Sequence, residues 1–163
     1  MITIQFQQLW DSHPLNLTPP ENHPCKKKDG TPAFDNQCAI KMSIALMGAS
    51  VNLDACNKVK CWFGHTNHVI RAQELADWLA EAAQLGTPTR YTKGRRDTES
   101  IFQQTVLSGI QGKKGTVFCQ NFWGTGNQGD HIDVWDGSTM SGGYGNSSYY
   151  GRSQQVWFWE INV

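Results

Sequence analysis

The periodicity of apolar residues changes about two-thirds of the way along the chain, and that change limits what the chain can fold into. Up to residue 108 apolar side chains recur at helical spacing. Residues 36–48 carry Ile40, Ile44 and Met47 at steps of four and three, with Asn36 as N-cap and Gly48 as stop. Residues 69–85 carry a stripe of Ala72, Leu75, Ala76, Leu79 and Ala82, with Gly86 as C-cap. Residues 98–108 read as a short third helix. Beyond them come strand-like runs at 115–123, 130–138 and 154–163, the second ending in an Asp136-Gly137 turn signal. Helices first and strands last, with hairpin-like connections, predict an α+β fold in which N-terminal helices pack on an antiparallel sheet. Residues 11–35 and 49–67 read as irregular, the former as a surface loop. With no repeat, low-complexity stretch or linker, residues 1–163 are expected to form one domain, and 163 residues can bury a sizeable core.

Charge removes several classes of function. Fourteen basic residues balance fourteen acidic ones, so no electrostatic footprint for nucleic acid or an anionic membrane surface exists. The run Lys26-Lys27-Lys28 reads as a solvated loop. No apolar stretch approaches the roughly 20 residues that span a bilayer. The segment "MITIQFQQLW" lacks a basic n-region, apolar core and small-residue cleavage site, so synthesis in the cytoplasm without a signal peptide is expected.

The segment "FDNQCAIKMSIALMG" places Cys38 in the first turn of the first predicted helix. There the positive end of the helix dipole and free N–H groups favour the reactive thiolate. Position alone fits a buried structural cysteine equally well, since free Cys is among the most buried residue types. His131 shifts the balance. It opens a strand after the glycine-rich "GTGNQGD", and an imidazole there can take the thiol proton and return it to a leaving amine. A cysteine opening a helix with a histidine far downstream on a sheet is the papain-like arrangement.

The segments "DNQCAIKMSIAL", "GHTNHVIRAQELADWL", "KKGTVFCQNFWGTGNQGDHIDVWDG" and "VWFWEI" resemble, in the same order, the fourth family of type VI secretion amidase effectors. The resemblance implies a papain-like, NlpC-type domain with no cofactor. It implies a cysteine amidase that cleaves peptidoglycan stem peptides between D-glutamate and meso-diaminopimelate, a DL-endopeptidase. It also implies delivery by the type VI secretion apparatus to the periplasm of target bacteria, as an antibacterial toxin with a cognate immunity protein. Carried across, Cys38 is the nucleophile and His131 the base. The family's orienting acid, eleven residues beyond the histidine, falls here on Gly142. Asp133 shares a strand face with His131 and can take the role. Asn146 is the other candidate, because an amide oxygen also accepts from imidazole. The backbone N–H of Cys38 is a natural oxyanion donor. The rivals are a non-catalytic wall- or carbohydrate-binding module, which needs neither Cys38 nor His131, and another papain-like acyl transfer.

Four further cysteines occupy positions 25, 56, 61 and 119. Cys56 and Cys61 are expected to form a small disulfide loop in an oxidising compartment. Two free thiols rank next, and a metal site of Cys56, Cys61, His65 and His68 ranks last, because the spacing is not that of a standard finger. Cys119 reads as an interior strand residue. Trp123, Trp135, Trp157 and Trp159 read as core and cleft wall.

Overall fold

Phe6 and Leu9 anchor a first helix, α1 (Phe6–Ser12), which the sequence pattern does not reveal. The computed structural model describes residues 1–121, 129–143 and 148–163. It continues with α2 (Cys38–Gly48), α3 (Ala72–Leu79), β1 (Thr89–Thr92), α4 (Glu99–Ile110), β2 (Gly115–Gln120), β3 (His131–Trp135), α5 (Ser148–Arg152) and β4 (Gln155–Glu160). The four strands form one antiparallel sheet in the order β1-β4-β2-β3. Among the described residues no helix is long and apolar enough to cross a membrane.

Strand alternation sorts the core into two layers. On one face Phe118, Ile132, Val134, Trp157 and Trp159 pack with Met42, Ala45 and Leu46 of α2 and Leu75 and Leu79 of α3. On the other, Val117, Cys119, Val156 and Phe158 meet Phe102, Val106 and Ile110 of α4 and Tyr150 of α5. Strands covered on both faces read as unbroken apolar runs, as "TVFC" and "VWFW" do. Trp135, Trp157 and Trp159 are core residues, and Cys119 is fully buried. Trp123 lies outside the described residues.

α2 is buried on two sides. The main core takes Ala39, Met42, Ala45 and Leu46, while Ile40 and Ile44 face a smaller cluster with Cys25, Phe34, Cys61 and Ile70. The Ile40–Ile44 spacing therefore marks the helix correctly but points to its lesser face. The main face carries alanines, whose apolar signal is weak. The second predicted helix is shorter than 69–85. α3 ends at Leu79, and turns closed by Leu85 N–H to Leu79 O and Gly86 N–H to Glu81 O follow it. Residues 11–35 are more than a surface loop, because His13 and Cys25 within them are buried. The Cys56–Cys61 disulfide is not formed. Cys56 belongs to the main core and Cys61 to the small cluster, where its neighbour is Cys25.

Candidate active site

Cys38 is the first residue of α2 and is nearly buried. Its backbone N–H donates to Asn36 Oδ1 at 3.1 Å. The expected oxyanion donor is thus engaged by a side chain two residues upstream. Gln37, between them, is buried and turns away from the cleft. Its amide donates to the carbonyls of Cys25 and Phe34 and accepts from the Cys25 N–H. The Cys38 thiol points toward the Asp130 carbonyl at 3.8 Å, just ahead of β3, and shares the cleft with the His131 ring, on whose pKa it bears.

His131 opens β3, an edge strand, with its ring at the cleft surface. Alternation puts Asp133 on the same strand face, and His131 Nε2 meets Asp133 Oδ2 at 2.9 Å. The other carboxylate oxygen accepts from the N–H groups of Val134 at 2.8 Å and Ser141 at 3.3 Å. A buried anion so supplied is a stable partner for an imidazole. Burial alone would lower the His131 pKa, but hydrogen bonds with Asp133 and Cys38, and their charges, push it up to about 10. Burial would likewise raise the Asp133 carboxyl. The hydrogen bond and charge of His131, with His13 and Ser141 behind them, hold it at about 2.

Gly142, where the family pattern would put an acid, offers only a backbone N–H, which donates to Asn16 Oδ1 at 2.6 Å. Asn146 lies outside the described residues. Sequence reasoning missed His13. Only 2% exposed, it accepts from the Leu15 N–H through Nδ1 at 3.2 Å, so the proton of the neutral ring is on Nε2. That nitrogen lies 3.6 Å from Asp133 Oδ1, too long for a hydrogen bond but close enough to bear on its charge. Burial lowers the His13 pKa to about 4, with Asp133 opposing and Lys41 and His131 adding to the fall. Nothing in the segment "DSHPLN" marks this histidine as a neighbour of β3.

The three side chains open on a cleft of about 550 Å³ whose walls include Asn36, Lys41 and Tyr149. A second groove, of about 350 Å³, begins on the other side of Cys38 and runs past Arg71 and Gln73. Cys38 and Asn36 line both. The Lys41 ammonium, held by Asn22 Oδ1 at 2.7 Å, stands in the first cleft.

The family model for type VI secretion system amidase effector protein 4, Tae4, matches residues 34–159. The chain belongs to the Tae4 family. It is therefore a type VI secretion amidase effector, and an enzyme. Solved Tae4 structures share its fold. That of Tae4 from Enterobacter cloacae aligns with a TM-score of 0.67 at 16% identity, covering 99% of this chain and 98% of that one. The Tae4–Tai4 effector–immunity complex from Enterobacter cloacae gives 0.64 at 18%, covering 99% and 100%. The Tae4/Tai4 effector–immunity structure from Salmonella typhimurium gives 0.62 at 18%, also covering 99% and 100%. No curated protein matches. The α+β arrangement read from the sequence is that of the Tae4 structures, consistent with a papain-like, NlpC-type fold.

Proposed function

We propose that the chain is a cysteine amidase of the peptidoglycan stem peptide, with Cys38 as nucleophile, His131 as general base and acid, and Asp133 as the group that orients His131. The observation that carries this reading is the His131–Asp133 pair, 2.9 Å apart, in the cleft that the Cys38 thiol also lines. With Nε2 held by Asp133, Nδ1 is the nitrogen left for the thiol. His131 takes the thiol proton, and Cys38 sulfur attacks the scissile carbonyl. The C–N bond breaks as His131 returns the proton to the leaving amine, giving a thioester. Water, deprotonated by the same ring, hydrolyses the thioester and frees Cys38. The Cys38 N–H can stabilise the oxyanion once the substrate carbonyl displaces Asn36 Oδ1.

Grooves on both sides of Cys38 suit an extended peptide bound across the nucleophile. Lys41 in one, and in the other Arg71, which pairs with Glu74 at 2.9 Å, offer cations to the carboxylates of D-glutamate and meso-diaminopimelate, whose bond we assign as the target. A binding module has no use for an imidazole held on a buried carboxylate in the same cleft as a thiol, which costs desolvation to maintain. On this reading residues 1–163 form one amidase domain, delivered by type VI secretion to the periplasm of a target cell. Two of the solved relatives are Tae4/Tai4 effector–immunity structures, which supports a cognate immunity protein that covers the cleft as the expected partner. Mass analysis of purified muropeptides after incubation tests the reading. Products cut between D-glutamate and meso-diaminopimelate, absent with Cys38→Ala, are expected. Intact muropeptides, or cleavage at another bond, would overturn it.

A further inference from the structure

Away from the cleft, three metal-ligating side chains from distant parts of the chain converge. Cys25 Sγ and Cys61 Sγ lie 3.4 Å apart, and His65 Nδ1 is 3.2 Å from the first and 3.3 Å from the second. We propose that Cys25, Cys61 and His65 bind a zinc ion that clamps the loop leading into Cys38 to the loop of residues 56–70.

The geometry favours an ion over a bond between the sulfurs. The three ligand atoms form a nearly equilateral triangle. An ion at the usual zinc distances of about 2.0–2.3 Å would sit roughly 1 Å out of their plane and reach all three at once. That is the base of a tetrahedron. A disulfide needs sulfurs about 2.05 Å apart. It would also leave a ring nitrogen aimed between two sulfurs with nothing to bind. Two thiolates and an imidazole form a borderline-soft donor set that suits zinc rather than magnesium or calcium.

The local backbone supports the same reading. The Phe63 N–H donates to Cys61 Sγ at 3.3 Å, the contact that steadies a ligating thiolate. Gly64, at φ 89°, turns the chain so that His65 comes back toward Cys61. A fourth vertex is left for solvent. The His68 ring stacks on His65 with centroids 5.1 Å apart, and its Nδ1 is buried without a hydrogen-bond partner. The ligand set expected from sequence, Cys56, Cys61, His65 and His68, is thus redrawn, with Cys25 in the place of Cys56.

Binding breaks two S–H bonds, with the protons passing to solvent. It forms two metal–sulfur bonds and one metal–nitrogen bond, with no change in oxidation state. The clamp would act on the active site through Gln37, whose side chain holds both the N–H and the carbonyl of Cys25 at 2.9 Å and which directly precedes Cys38.

The test uses the full chain, expressed with added zinc and purified under reducing conditions, with metal content measured by mass spectrometry. About one zinc per chain is expected, as for a structural site. Cys25→Ser and Cys61→Ser should each retain less than roughly a tenth of it, while Cys56→Ser retains it. Because the serine variants can fail to fold, wild-type protein reloaded with cobalt gives a second readout, a thiolate-to-cobalt charge-transfer band. Zinc-free wild-type protein that still melts cooperatively would overturn the proposal. So would a Cys25–Cys61 disulfide under these conditions, or zinc retained by both serine variants. None of these readouts depends on hydrolysis, so the outcome is independent of the assigned chemistry.

Discussion

At the scale of the residue, the proposed chemistry rests on the pair on β3. Two residues along one strand is a demanding reach for a side chain, yet His131 Nε2 and Asp133 Oδ2 meet at 2.9 Å. Cys38→Ala should abolish hydrolysis with the fold retained, and a folded Cys38→Ala variant with full turnover would remove the cysteine mechanism. Cys119→Ala should keep its activity, because Cys119 is sealed between β2 and the α4 layer. Asp133→Asn should lower turnover by roughly 10- to 100-fold with little change in KM, since on the proposed mechanism it acts on the imidazole rather than on the substrate. The same change removes the anion that raises His131, so the imidazole titration followed by NMR should move well below about 10. Turnover unchanged in Asp133→Asn would take Asp133 out of the site.

At the scale of the element, caps and close approaches set the geometry that the site inherits. Thr98 caps α4, its hydroxyl accepting from the Ile101 N–H at 3.1 Å. Thr98→Ala should cost about 1 kcal/mol in urea unfolding. A loss within error would show that the cap contributes nothing. Gly115 stands where β2 passes β4, and a Cβ there would overlap the backbone carbonyl of Trp159. Gly115→Ala should therefore destabilise by roughly 1–3 kcal/mol, an overpacking cost with no side chain able to move aside. The Asp136-Gly137 turn behaves as its sequence predicts. Asp136 Oδ1 accepts from the N–H groups of Ser138 and Thr139, and Gly137 takes φ 105°.

At the scale of the whole molecule, the buried charges set how stability varies with pH. His13 is held neutral with its pKa lowered from 6.5 to about 4, so the unfolded chain binds the extra proton between those values. Its contribution is complete above pH 6.5 and is lost as pH falls toward 4. At about 1.4 kcal/mol per unit this amounts to roughly 3 kcal/mol. His131, raised to about 10, works in the opposite sense. Its contribution is complete below 6.5 and is lost as pH rises toward 10. Unfolding free energy should therefore peak near pH 6.5. His13→Asn, which keeps an acceptor for the Leu15 N–H, should flatten the acid limb alone. An unchanged acid limb in that variant would show that His13 does not carry it. The α+β class, the helices α2, α3 and α4, the strands β2, β3 and β4, Cys38 at a helix start and His131 with Asp133 on one strand face were legible in the sequence, because periodicity and strand alternation are local properties. The span of α3, α1, β1 and α5, the last two of which break the helices-then-strands order, the face on which α2 packs, His13 behind Asp133, and Cys25 rather than Cys56 beside Cys61 were not. Each depends on which segments meet across the fold, and such meetings are decided by the joint burial of surfaces far apart in the chain, which no local spacing encodes.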